Sequence, residues 1–294
     1  MRIVFIHGIN NEEETADTIR TSWQRALEGT WDKLNLPRPT PPAIDVAYYA
    51  KTLANAATGG DTSTAMGGPG ATNTSDAIAL LQAYANAAGV TTEELEAEAE
   101  RQGVPREAVA QGAPHEGWII AFAGLLEGIL PDKGLFVAKQ FLRQAAIYIS
   151  NKALAAKVDA EVEAQVFDGR PDPTIIVAHS LGTVIAYRLL AGRRLAGRDA
   201  PLFITLGSPL SVSMFKPILP PRGSMPKPPI AKWINGRHVD DFVTLGRAIT
   251  KESIGFADVV DITDIDNPDD DKHNVVRYLA SPSIARELFQ AAWA

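Results

Sequence analysis

The sequence has no cysteine among its 294 residues. This excludes disulfide bonds, thiolate nucleophiles and cysteine-ligated zinc. It also lacks an excess of positive charge, because 28 lysine and arginine residues stand against 35 aspartate and glutamate residues, for a formal net charge of −7. A chain without a basic stripe is a poor candidate for nucleic-acid binding. We therefore expect no nucleic-acid partner, and no pattern in the sequence calls for a cofactor or a metal.

Long apolar runs are also missing. The longest spans residues 118–130 and includes Glu127, whereas a transmembrane helix needs about 20 predominantly apolar residues. The N-terminal segment Arg2–Ile6 has the pattern of a buried strand and not of a secretory signal, which needs a longer apolar region and a cleavage site. We expect no transmembrane or targeting segment and a cytoplasmic protein. The sequence identifies no protein partner.

Predicted strands alternate with predicted helices along most of the chain. The strands are Arg2–Ile6, Ile44–Tyr49, Thr174–Ala178, Leu202–Leu206, Ile230–Ile234 and Val259–Ile262. The helices are Glu12–Glu28, Leu135–Ser150, Lys152–Phe167, Thr183–Leu190 and Ser283–Trp293. This alternation predicts the α/β class, with a mostly parallel sheet of about six strands and helices on both faces.

Residues 51–130 do not follow this alternation, since they contain no convincing strand. Gly59–Ser75 is rich in glycine, threonine and alanine, and helical patterns follow it, one of them opened by a capping box at Thr91 and Glu94. We interpret residues 51–130 as a helical insertion, a lid or cap, within a core formed by residues 1–50 and 131–294. The alternative is a surface decoration with no role in binding.

The segment Ala178-His179-Ser180-Leu181-Gly182 carries the strongest chemical signal. It places a serine between an apolar β-branched run and a helical stretch, with small residues two positions before and after it. Such a tight strand-to-helix turn presents the serine hydroxyl as a nucleophile. The alternative is a serine that only caps the following helix.

Several segments together resemble the α/β-hydrolase superfamily, on the lipase and esterase side. The matching stretches are His7–Asn10, Ala178–Gly182, Thr205–Leu210, Trp233–Val243 and His273. The resemblance covers residues 1–49 and about 134–294, so the insertion lies outside it. Ala178 stands where glycine is usual, and Phe242 stands where proline is common. The resemblance implies an α/β-hydrolase fold with a minimal sheet.

The resemblance also implies a catalytic triad in the chain order serine, acid, histidine. Ser180 would be the nucleophile, and the histidines after it are His238 and His273. We favour His273 as the base because it follows the last predicted strand, where this fold places its histidine. The family's acid stands eight residues after a tryptophan and two before a valine, which selects Asp241, with Asp240 as the alternative.

An oxyanion hole needs two backbone N–H groups aimed at the developing negative charge. The resemblance assigns these to Leu181, directly after the nucleophile, and to Ile9 in the loop after the first strand. Together these residues imply a serine hydrolase that cleaves carboxylic esters through an acyl-serine intermediate, with a small-molecule or lipid-like ester as substrate. A thioesterase, an amidase or an acyltransferase would use the same triad. A non-catalytic binding module on the same fold is a further alternative.

Overall fold

The computed structural model describes residues 1–57, 82, 84–85, 89–101, 103, 136–170, 172–191, 200–212, 215, 218–220, 230–255, 258–268 and 271–293. The chain divides into two compact units. The first comprises Met1–Tyr49, Asp159–Val212 and Leu219–Ala294, and the second comprises Ala50–Val158 and Ser213–Ile218. Among the described residues, no helix is long and apolar enough to cross a membrane.

The first unit is built on an open, six-stranded, all-parallel sheet. The strands are β1 (Arg2–Ile6), β2 (Ala43–Ala47), β3 (Thr174–His179), β4 (Ala200–Leu206), β5 (Ile230–Gly236) and β6 (Val259–Ile262). They lie in the order β2-β1-β3-β4-β5-β6, and every neighbouring pair is parallel. This confirms the predicted α/β class.

Helices occur in both units. In chain order they are α1 (Ala16–Lys33), α2 (Ala50–Ala57), α3 (Thr92–Arg101), α4 (Phe136–Ser150), α5 (Lys152–Val166), α6 (Leu181–Ala191), α7 (Lys251–Ile254), α8 (Val275–Leu279) and α9 (Pro282–Trp293). The short helices α2, α7 and α8 are not predicted from the sequence. The bounds of α4 and α5 agree with the prediction within one residue.

Helices cover both faces of the sheet. On one face, Phe5 and its strand neighbours form a core with α1 and α9, which contribute Trp23 and Leu288 among others. On the other face α6 lies against β1 and β3, and the Tyr187 ring lies 5.7 Å from that of Trp233. Burial on both faces explains why these strands read as continuous apolar runs.

Several element boundaries differ from the predictions, and two of these differences have clear local reasons. Helix α1 begins at Ala16 because Thr15 and Thr18 form a reciprocal capping box there. Strand β2 ends at Ala47, two residues early, because the Tyr49 backbone N–H leaves the sheet and donates to His7 Nε2 at 3.1 Å.

The second unit contains the predicted capping box. The Thr91 N–H donates to Glu94 Oε2 at 2.7 Å and the Glu94 N–H donates to Thr91 Oγ1 at 3.2 Å, which starts α3. The predicted loop 59–75 and the longest apolar run, residues 118–130, lie outside the described residues. The assignment of residues 51–130 to a lid therefore stays a prediction.

Candidate active site

Ser180 occupies a strained turn between β3 and α6. Its φ of 55° lies in the left-handed region that residues with a side chain rarely adopt. The turn is held because the Ser180 N–H donates to the Leu206 carbonyl at 3.0 Å. The Ser180 carbonyl in turn accepts from the Thr183 N–H at 3.0 Å and from the Thr183 hydroxyl at 2.7 Å. Such strain persists only where the surroundings over-determine it.

Close backbone packing surrounds this turn and explains its small residues. A Cβ at Gly8 would lie 2.5 Å from Ser180 Cβ, and one at Gly182 would lie 2.3 Å from the His7 carbonyl oxygen. Strand β1 is next to β3, and the chain order of the sheet reverses between these two strands. The carboxyl ends of strands at such a switch point form the crevice where open α/β sheets bind ligands.

Asp241 and His273 form a buried pair at the same edge of the sheet. His273 Nδ1 lies 2.6 Å from Asp241 Oδ2, and the two side chains are 7% and 0% exposed. Asp241 Oδ1 accepts the Val243 N–H at 2.8 Å. The alternative acid, Asp240, is exposed, and its backbone N–H donates to the ring of His238. The structure thus brings the carboxylate of Asp241 to His273, whereas the side chain of Asp240 is exposed.

Tyr278 joins this pair although sequence reasoning missed it. Its hydroxyl lies 2.7 Å from Asp241 Oδ2 and accepts the His238 backbone N–H at 2.9 Å. Tyr278 is carried by α8, which begins directly after the N-cap residue Asn274. The available signal was a tyrosine in a short apolar segment just beyond His273, which no general pattern marks as functional.

His179 supports the histidine of the pair from beneath. The two rings lie 4.4 Å apart, and His179 Nε2 lies 3.1 Å from the His273 carbonyl oxygen. Burial, and secondly the proximity of His273, holds the pKa of His179 well below its ordinary value. A neutral imidazole whose Nε2 carries the proton donates to this carbonyl. His179 therefore anchors the backbone of His273 next to the Ser180 turn.

The loop after β1 is fixed by a second buried histidine. His7 Nδ1 lies 2.7 Å from the Gly8 carbonyl oxygen, and its ring stacks on Tyr49 at 4.2 Å. Burial lowers the pKa of His7 to about 4, so Nδ1–H donates while Nε2 accepts from Tyr49. Because a trans peptide points its N–H away from its carbonyl, the N–H of Ile9 points away from His7.

Gly207 provides the space that the imidazole occupies. It has a φ of 54°, and a Cβ there would lie 2.7 Å from His273 Cε1 and 3.0 Å from Asp241 Oδ2. Gly207 directly follows Leu206, whose carbonyl binds the Ser180 N–H. His273 is thereby held against the strand end that also holds the turn of Ser180.

Ser180 Oγ and His273 Nε2 do not bond to each other. Within the described part of the chain, both atoms are buried and neither has a hydrogen-bond partner. Buried polar atoms are nearly always satisfied, so two such atoms at one edge of a sheet need an explanation. A hydroxyl and an imidazole nitrogen are the types of group that can pass a proton between them.

The described residues offer no obvious metal centre, since no three histidine or carboxylate side chains among them are grouped to hold an ion. Comparison of the chain with protein-family models, with curated proteins and with solved structures finds no match.

Proposed function

We propose that the chain is a serine hydrolase of the α/β-hydrolase type that cleaves carboxylic esters through an acyl-serine intermediate. The observation that carries this proposal is the buried hydrogen bond between Asp241 and His273, 2.6 Å long, beside the strained turn of Ser180. A serine hydroxyl is a weak nucleophile unless a base takes its proton and a third group orients that base.

The reaction would begin when Ser180 Oγ attacks the carbonyl carbon of the ester. The hydroxyl proton passes to His273 Nε2, and the carboxylate of Asp241 stabilises the imidazolium that forms. The proton then passes to the leaving alkoxide oxygen as its bond to the acyl carbon breaks. Water, deprotonated by the same nitrogen, then attacks the acyl carbon. The bond between that carbon and Ser180 Oγ breaks, His273 returns the proton to Oγ, and the acid product leaves.

This series of reaction steps requires a hydrogen bond between Ser180 Oγ and His273 Nε2, which the structure without substrate lacks. Catalytic hydrogen bonds are often long or misaligned without substrate and tighten in the complex. A rotation about χ1 of Ser180 moves only Oγ and leaves the held backbone unchanged. We therefore expect the bond to form when substrate occupies the site.

The negative charge of the tetrahedral intermediate would be held by the N–H groups of Ile9 and Leu181. The peptide group that joins Gly8 to Ile9 is fixed, because the Gly8 carbonyl oxygen accepts from His7 Nδ1 at 2.7 Å and from the Tyr49 hydroxyl at 3.3 Å. Leu181 is the first residue of α6, where N–H groups lack intrahelical acceptors. One such donor is worth about 10²–10³ in rate.

A fluorophosphonate probe, which phosphonylates activated serines, tests the proposal. Wild-type protein should be labelled at Ser180, and Ser180→Ala should not. A Ser208→Ala variant is the matched control, because Ser208 is also buried but bonds to Thr183 at 2.8 Å. Absence of labelling in folded wild-type protein would refute the proposal.

Turnover of a p-nitrophenyl ester series from acetate to palmitate then tests the substrate class. Hydrolysis confined to short or long chains reports the length of the acyl pocket. Stoichiometric binding of esters without turnover would favour a binding module on the same fold.

The assignment of residues 51–130 to a cap belongs to this proposal. Its support is that residues 51–130 fall within one compact unit, which begins at Ala50, close to the predicted boundary, but runs on to Val158 and also includes Ser213–Ile218. Deleting residues 55–130 and repeating the ester series tests it. Unchanged activity toward both short and long esters would refute a role in gating.

A further inference from the structure

The Tyr278 hydroxyl makes two hydrogen bonds whose directions can be assigned. It accepts from the backbone N–H of His238, which can only donate, at 2.9 Å. Its own proton is therefore free to point to Asp241 Oδ2, 2.7 Å away. That oxygen is also the one that faces His273 Nδ1 at 2.6 Å. Two donors thus share one carboxylate oxygen.

The hydroxyl keeps its proton at any working pH. Tyr278 is fully buried, and burial, followed by the charge of Asp241, raises the pKa of Tyr278 well above its ordinary value. It is a permanent neutral donor. A charged donor in its place would form an ion pair with Asp241, and the orientation of the carboxylate would then depend on a second charged group.

The position of Tyr278 in the chain links the two halves of the pair. Helix α8 follows His273 after the single residue Asn274, so base and tyrosine belong to one short segment. Asp241 and His238 belong to the loop after β5. The hydroxyl therefore ties the segment of the base to the loop of the acid at two points.

We propose that Tyr278 is a positioning residue that turns Asp241 Oδ2 toward His273 and takes up part of the negative charge of that oxygen. This inference rests on the proposed function, because it is the base role of His273 that gives the shared charge a kinetic consequence. Tyr278 itself does not touch the reacting atoms.

Removal of the hydroxyl has a predictable sign. Without it, Asp241 Oδ2 has one donor fewer, and its charge acts more fully on His273. The protonated imidazole is then favoured, so its titration midpoint and the acid limb of kcat/KM move to higher pH by roughly half a pH unit. The looser carboxylate also lowers kcat by about tenfold, with KM nearly unchanged.

Other titratable groups act on this cluster and stay in place when the hydroxyl is removed. His179 packs on His273 from the end of β3, and His7 acts on His179. Arg237, directly after β5, opposes the rise in the pKa of Tyr278 and forms an ion pair with Asp261 at 2.8 Å. A shift seen on substitution of Tyr278 alone therefore reports its hydroxyl.

The experiment compares Tyr278→Phe with Tyr187→Phe. Tyr187 is equally buried, and its hydroxyl is 3.5 Å from the Ile254 carbonyl, away from the pair. NMR titration of the His273 ring, assigned with His273→Gln, needs no turnover. The pH profile of ester hydrolysis is measured beside it.

An upward shift in Tyr278→Phe, with none in Tyr187→Phe, supports the inference. No shift, or equal shifts in both variants, overturns it. If the ring titration shifts while wild-type protein hydrolyses no ester, the positioning role holds and the proposed function fails. If Tyr278→Phe does not fold, Tyr278→3-fluorotyrosine keeps the shape with a stronger donor. It should shift the midpoint to lower pH, and an unchanged midpoint would overturn the inference.

Discussion

In Gly207→Ala the added methyl group would clash with the imidazole of His273. The new methyl carbon would lie 2.7 Å from His273 Cε1, 2.8 Å from its Nδ1 and 3.0 Å from Asp241 Oδ2. Ordinary carbon contacts are about 3.5–4.0 Å. The imidazole must therefore retreat by about 1 Å, because the strand end beneath Gly207 is held by backbone hydrogen bonds on both sides.

Two separate penalties follow from this clash. The φ of 54° at Gly207 costs an alanine about 1–2 kcal/mol, and overpacking adds about 1–3 kcal/mol. We expect a loss of unfolding free energy of about 2–5 kcal/mol. A misplacement of about 1 Å at a reacting group can cost about 10²-fold in rate. We expect kcat/KM and the rate of fluorophosphonate labelling to fall by at least that factor.

Gly169→Ala separates the two penalties. Gly169 also has a positive φ, 91°, but a Cβ there would meet no atom within 4 Å. It should lose stability without losing activity. Urea unfolding and hydrolysis of a short p-nitrophenyl ester are measured on both variants. If folded Gly207→Ala hydrolyses the ester within about threefold of the rate of Gly169→Ala, the position of His273 does not affect the reaction. His273 is then not the base.

The strain at Ser180, the choice of acid and the buried His7 can each be tested by substitution. Ser180→Gly relieves the left-handed strain, so urea unfolding should show about 1 kcal/mol more stability together with complete loss of turnover; lower stability would contradict a strained turn. Asp241→Asn should lower kcat by about 10³–10⁴ while Asp240→Asn changes it less than about twofold, and the reverse ranking would make Asp240 the acid. His7 has a pKa of about 4 in the folded state against 6.5 in the unfolded chain, so unfolding takes up a proton between these values. Its contribution is present above pH 6.5 and is lost as the pH falls toward 4, so stability should drop by about 2 kcal/mol between pH 7.5 and 5.0. His7→Asn, which cannot titrate, should show a drop smaller by that amount, and an equal drop would refute a neutral buried His7.

The strands could be predicted because a parallel sheet buried on both faces imposes an unbroken apolar pattern. Ile175 to Val177 in β3 illustrates it, since successive side chains enter opposite cores and all must be apolar. The strand ends could not be predicted equally well. Tyr49 has strand propensity, but its backbone donates to His7 and not to the sheet. That competition is tertiary and leaves no local signal.

The candidate site residues also fall into those that a local sequence pattern marks and those that depend on tertiary contacts. Ser180 is marked by the small residues that its turn needs, and candidates for acid and base follow from their places after predicted strands. Tyr278 could not be found because α8 is a helix of five residues, too short to show an apolar period. The hydrogen bond that anchors His273 to His179 depends on tertiary structure, because it joins the end of β3 to the loop after β6. Sequence spacing alone does not encode that contact.

Unfavourable features concentrate at the carboxyl end of the sheet. Ser180 is in a left-handed conformation, its Oγ and His273 Nε2 are buried without partners among the described residues, and Gly207 leaves no room beside the imidazole. In a fold selected only for stability, we would expect none of these three features. A single substitution, Ser180→Gly, would remove the left-handed strain. They persist because β1, β3 and β4 hold the backbone around them. Strain and unsatisfied polar atoms at one edge of the sheet are what the proposed active site would require, because such features cluster where function and not stability sets the local structure.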